Sequence, residues 1–221
     1  MLSEKMMSML VDGTVESIYM TIATTLLSYL IGTPLGVLLV VSGKNGIRPM
    51  SLTNKVVGAV VNILRSVPFL ILMITIQPLT KLVVGSTIGT RAAIFALVVS
   101  AAPFVARMVE QSLLEVDAGV VEAAQSMGAS NFQIVWKVLL PEGKPSLING
   151  SIVSAVTILG YSAMAGFIGG GGLGDIAIRY GYNRYQFSTM MITVVLLVLL
   201  VQIIQAAGER IALRTDKRLN Q

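Results

Sequence analysis

Five long apolar runs, near 17–42, 57–80, 88–109, 147–170 and 186–208, take up most of a chain of 221 residues. Each is long enough for the roughly 20 residues that a bilayer core requires. In hydrocarbon, backbone N–H and C=O groups must pair within their own segment, so runs of this length have to be helices. The expected fold class is therefore an all-α integral membrane protein with five transmembrane helices. Composition agrees: 54% of residues are hydrophobic and 12% charged, with a mean hydropathy of +0.80, too little polar surface for a water-soluble fold. Arg65 interrupts the second run, while Arg91 and Arg107 bound the third. The implied division is a short external N-terminal segment at 1–13, one membrane domain at 14–208 containing a long loop at 110–146, and a tail at 209–221.

Charge orients this arrangement. Lys44, Arg48, Lys55, Arg107, Lys137, Lys144, Arg210, Arg214, Lys217 and Arg218 fall on one side, ten in all, against Lys5, Lys81, Arg91, Arg179 and Arg184 on the other. Excess Lys and Arg mark the cytoplasmic side, so the 110–146 loop and the C-terminus are expected inside and the N-terminus outside. The first run begins near Ile18 and Met1 to Val11 carries Glu4 and Lys5, which reads as a first span rather than a cleavable leader. The net charge of +5 is scattered among loops, as topology requires, and does not form the massed patch that nucleic acid would need. With no cysteine and no histidine, thiolate chemistry and the commonest metal ligand and general base are missing. No catalytic residue, metal site or cofactor is expected in this chain.

Residues 122–141, EAAQSMGASNFQIVWKVLLP, are a polar, turn-punctuated block in these greasy surroundings. Asp117 suits the N-cap of a short helix running to about Met127, and Gly128 suits the residue that ends it. Ser130 suits the cap of a second helix toward Leu139, with Pro141 barring simple continuation. At 100° per residue Val116, Val120, Ala123, Ala124 and Met127 share one side with Glu122 nearly opposite, and Phe132, Val135, Trp136 and Leu139 form a second stripe. Such a pair of helices either enters a groove on a partner or rests on lipid headgroups.

The spacing of Glu122-Ala123-Ala124, Gly128, Val138 and Leu140-Pro141 resembles the cytoplasmic coupling loop of ABC-importer permeases, with Val138 where that family usually has Ile. Three more stretches, Asn62 to Phe69 (NILRSVPF), Ala101 to Glu110 (AAPFVARMVE), and Gly160 to Gly166 (GYSAMAG) followed by Gly169 to Gly174 (GGGGLG), resemble the methionine-importer permeases, so that the likeness covers essentially the whole chain. It implies a type I ABC importer permease fold in a bacterial inner membrane and a homodimer. It also implies two copies of a separate ATPase subunit that carries ATP and Mg, an external substrate-binding lipoprotein, and import of methionine in L and D forms. Glu122, Ala123 and Ala124 would lie on the docking helix, Gly128 at its turn, and Leu140 and Pro141 at the end of the coupling motif. Membrane lipid is the surrounding partner and nucleic acid is not one.

Asn62, Arg65 and Ser66 are polar groups within a span, so they either line the bundle interior or, for Arg65, reach the cytoplasmic interface. Met164 is a bulky side chain among Ser162, Ala163, Ala165 and Gly166. It either plugs a narrow pathway, with Tyr161, Ser162 and Phe167 as neighbouring candidates, or packs the core. Gly169 to Gly174 matches a dinucleotide spacing but follows an apolar helix rather than a strand, so a flexible external turn or a close backbone approach fits better. Gly32 and Gly36, like Gly166 and Gly170, have the spacing that lets membrane helices pack closely. Other readings stay open: a permease for another amino acid or small nutrient, or an ion-coupled transporter or channel. The latter calls for intramembrane acids, whereas all eleven Asp and Glu lie in loops or at span ends. An intramembrane enzyme would need a Ser-Lys pair, and every Lys lies in a loop or terminal segment.

Overall fold

The computed structural model describes residues 4–215, and among them the regular elements are helices, with no strand. Lys217 and Arg218, two of the orienting cations, lie outside the described residues, as does the end of the 209–221 tail. Four helices are long and apolar enough to cross a membrane: α1 (Glu4–Ser42), α5 (Thr90–Leu114), α9 (Lys144–Ala165, prolonged by a 3-10 turn to Ile168) and α11 (Phe187–Thr215). α1 starts well before the apolar run, because Glu4 to Asp12 contains no glycine or proline to stop it. At about 1.5 Å per residue it is roughly 58 Å long, nearly twice a bilayer core.

The second expected span is not one helix. α2 (Ser51–Ser66) and α3 (Phe69–Thr75) meet at 101°. The cause is Pro68, which lacks an N–H and disfavours helical geometry at the preceding Val67. The chain then adds α4 (Gln77–Val84), closed by Gly85 at a left-handed φ of 84°.

The chain forms two compact units. One contains residues 4–27, 67–101 and 154–206. Its core joins Met20, Phe69, Met73, Ala93, Leu97 and Ala165, with the Tyr161 ring stacked on Phe69 at 4.8 Å. A hook follows α9: α10 (Gly172–Ile176) folds back so closely that Cβ atoms built on Gly166 and Gly174 would strike the backbone of Gly174–Asp175 and Ala163. The glycine run is thus a close approach of backbones, the second of the two uses read from the sequence. Two side chains of α1 hold it, as Glu16 Oε2 accepts from Gly172 N–H at 2.7 Å and Ser17 Oγ from Leu173 N–H at 2.9 Å. Buried Asp175 accepts from Arg179 Nε at 2.8 Å, and this hydrogen bond raises the guanidinium pKa above its usual value.

The other unit contains residues 28–66, 102–153 and 207–215. Gly32 and Gly36 of α1 pack on α5, where added Cβ atoms would come within 2.7 Å of Val105 Cγ1 and Val109 Cβ. The small-residue spacing therefore serves packing within the chain at this place. Val105, Val109 and Leu113 continue the core onto Ala124, Ile134 and Leu139 of the 110–146 loop.

Candidate coupling loop and pathway face

The loop's first helix, α6 (Ala118–Ser126), starts where Asp117 Oδ1 accepts from Gly119 N–H at 2.8 Å, an N-cap of the kind worth about 1 kcal/mol. Its far end is a Schellman turn. Gly128 N–H donates to Gln125 O at 2.9 Å and Ala129 N–H to Ala124 O at 3.1 Å, with Gly128 at φ 78°. The second helix, α7 (Asn131–Ile134), opens on a capping box in which Ser130 and Gln133 cap each other's backbone N–H groups. The Ser-x-x-Gln spacing that signals it is legible in the sequence.

Pro141 does not end this helix. Residues Val135–Leu139 widen into a π-turn, Leu140 N–H reaching back to Val135 O, and α8 (Leu140–Glu142) continues with the proline in its first turn. The widened turn is what admits the proline, whose ring would strike the carbonyl four residues back in a regular α-helix and which has no N–H to give to it. Gly143 then links to α9.

Burial divides the expected stripes. Of Glu122, Ala123 and Ala124 only Ala124 is buried, packed with Ile134, Leu139 and Leu113, and half-buried Val121 supports it. Val120, Ala123 and Met127 are exposed instead, Met127 to 82%. On the second helix Ile134 and Leu139 are buried, whereas Phe132 and Trp136 are 71% and 58% exposed and meet edge to face at 6.2 Å. Leu140 is half-buried and Pro141 exposed. The loop thus shows solvent both a carboxylate, Glu122, and large apolar side chains, on helices with capped ends. An exposed apolar patch of this kind marks an interaction site.

The pathway candidates separate as well. Met164 and Phe167 are 43% and 61% exposed, and a Cβ on Gly160 would meet nothing within 4 Å, so this side of α9 is uncovered. Ser162 is buried and donates to Leu159 O at 2.8 Å of its own helix, while Tyr161 is half-buried on Phe69. The Ser162 hydroxyl is therefore satisfied by its own helix. Asn62, Arg65 and Ser66 are exposed on α2. Asn62 Oδ1 accepts from Arg107 Nη2 at 2.9 Å, and that same nitrogen donates to Gly58 O at 3.2 Å. Arg107 Nη1 pairs with Glu110 at 2.5 Å. No local pattern announces this tie between α2 and α5, since its partners lie more than forty residues apart.

The whole layout can be set beside known proteins. Residues 32–220 match the family model described as binding-protein-dependent transport system inner membrane component. The chain belongs to that family. This transport component is 52% identical over 210 residues to the probable D-methionine transport system permease protein MetI of Vibrio cholerae, covering 95% of the chain and 93% of that relative. It is 46% identical to the methionine import system permease protein MetP of Bacillus subtilis, covering 82% of each. A solved structure of the MetNI methionine ABC transporter in inward facing conformations superposes with a TM-score of 0.96 at 47% identity, covering 97% of this chain and 100% of that one. An amino acid ABC transporter crystallised with histidines shares the fold alone, at a TM-score of 0.79 and 18% identity.

Proposed function

We propose that the chain is the permease subunit of an ATP-driven methionine importer, working as a homodimer with two copies of a separate ATPase and supplied by an external binding protein. The observation that carries the coupling half of this reading is the loop itself, with exposed Glu122 on one side of a capped helix, exposed Val120 and Met127 on another, and the turn to the second capped helix fixed by Gly128. A short amphipathic helix of this build fits a groove on a partner protein. Methionine as cargo rests on the identity and coverage of the relatives that carry it in their names. ATP hydrolysis belongs to the partner, and the loop passes the partner's motion to α5 through Leu113 and to α9 through Gly143. The loop and the C-terminus face the cytoplasm.

Vesicles test the proposal. The permease reconstituted with its ATPase and binding protein should accumulate labelled methionine only with ATP. Uptake that is indifferent to the ATPase would identify a passive pore instead. In the same vesicles Met164→Ala should raise leak without nucleotide while expression and assembly stay normal, because truncating an exposed plug opens space that truncating a packed side chain would not. Unchanged leak with lowered thermal stability would return Met164 to a packing role. Orientation has a separate check, made simple by the absence of native cysteine. Cysteines at Ser86 and Asn183 should label from outside intact cells and one at Ser130 only after permeabilisation, and the reverse accessibility would invert the topology.

A further inference from the structure

Before its apolar run, one face of α1 is polar. Lys5, Ser8, Asp12 and Glu16 recur at spacings of three and four residues, which gathers them on one side of the helix. That side lines a pocket of about 380 Å³, whose remaining lining comes from α10 and the π-turn after it, Ala177–Tyr182. The volume is that of a small-molecule site, about 300–1,000 Å³. Both signs of charge are present: Asp12, Glu16 and Asp175 line the pocket together with Lys5 and Arg179, and Met9, Ile176 and Tyr180 supply an apolar side.

Asp175 is 4% exposed, and its Oδ1 has no hydrogen-bond partner. Its Oδ2 accepts from both Nε and Nη2 of Arg179. A buried carboxylate oxygen without a donor is rare in a folded protein, and the pocket is the open space that Asp175 lines. Arg179 is 64% exposed with Nη1 uncommitted, and Glu16 commits only Oε2, to Gly172 N–H. The unmet capacity is therefore of two kinds, carboxylate oxygens for a cationic donor and guanidinium N–H groups for an anion. Among the described residues no three acidic groups are placed to hold a metal ion. A lone organic cation would also meet Lys5 and Arg179, and a lone anion would meet three carboxylates. A molecule with one charge of each sign suits both.

We propose that this pocket binds a free α-amino acid as its zwitterion, with the ammonium between Asp175 and Glu16, the carboxylate on Arg179, and an apolar side chain along Met9 and Ile176. Met164 and Phe167 do not line it. The assignment goes beyond the transport reading and uses neither its orientation nor its cargo.

A chain without native cysteine allows a local reporter. Ser8→Cys places a thiol at an exposed position of the pocket lining. The full-length permease carrying it would be labelled in detergent with a maleimide, with and without L-methionine, its decarboxylated amine and its deaminated acid. Methionine should slow labelling in a saturable way. The amine and the acid should each need about tenfold higher concentration, the factor that one lost charge-assisted hydrogen bond carries. Glu16→Gln, which keeps an oxygen for Gly172 N–H, should weaken protection by methionine about tenfold for the same reason. Ser86→Cys, exposed and outside the pocket lining, should label at one rate throughout. Equal protection by the amine would reduce the pocket to a cation site, and equal protection by the acid to an anion site; either would overturn the zwitterion. Unchanged rates at Ser8→Cys, slowing shared by Ser86→Cys, or full protection in Glu16→Gln would overturn the proposal as well.

Discussion

Gly174→Ala is expected to leave almost no folded protein. In an ordinary helix the change would be favourable by about 1 kcal/mol. Here the new Cβ would fall on the carbonyl oxygen and Cα of Ala163, and neither is the end of a flexible side chain. Gly166 is equally bare across the crossing, so the two backbones meet with hydrogens alone between them. Overpacking a tight core costs about 1–3 kcal/mol and more where the obstacle is main chain, a large part of a domain's net stability. The readout is the fraction of detergent-solubilised protein that elutes as a single folded species, with Gly160→Ala, in open space, as the control that should match the parent. If Gly174→Ala elutes and melts like the parent, the hook is looser than described.

Gly128→Val should do the opposite kind of damage, leaving the permease inserted and folded while ATP-driven uptake largely disappears. No atom lies within 4 Å of a Cβ built on Gly128, so space is not the obstacle. The obstacle is φ at 78°, a left-handed geometry that costs a non-glycine residue about 1–2 kcal/mol and a β-branched one more. The strain is relieved by undoing the Schellman turn, which sets the direction in which α6 leaves α7. Asn, which tolerates that geometry, should restore most of the coupling at the same position. Glu122→Lys should weaken association with the ATPase without touching the turn. Normal complex assembly and normal uptake in Gly128→Val and Glu122→Lys would refute the docking assignment of the loop.

What could be read in advance was local. Apolar runs mark spans because the bilayer imposes a length, and Asp117, Gly128 and Ser130 mark helix ends because caps act within three or four residues. Pro68 was equally visible, yet the apolar composition around it hides the break, since hydropathy averages over a corner. Burial on the loop was less legible. Periodicity grouped Ala124 with Val120 and Met127, but which side of α6 faces inward depends on Leu113, Ile134 and Leu139, which arrive from other elements. The grip of Glu16 and Ser17 on Gly172 and Leu173 joins residues 156 positions apart and leaves no pattern to find. Ser162 shows the same limit, because a polar residue in a span reads as an unmet hydrogen-bonding group until its own helix is seen to satisfy it.

The Arg107 tie limits what kind of movement this part of the molecule can make. A guanidinium that donates at once to the Gly58 carbonyl and the Asn62 amide oxygen, and is itself fixed by Glu110, fits one register of α2 against α5. Sliding by one turn would abandon the two charge-assisted bonds to α2, about 1.5–3 kcal/mol each, and leave Arg107 with Glu110 alone, its neighbour on α5. Shear between these two helices is therefore opposed. Whatever displacement the loop delivers to α5 is carried by α2 as a fixed passenger, so a push received at one end of α5 moves two helices together rather than one past the other.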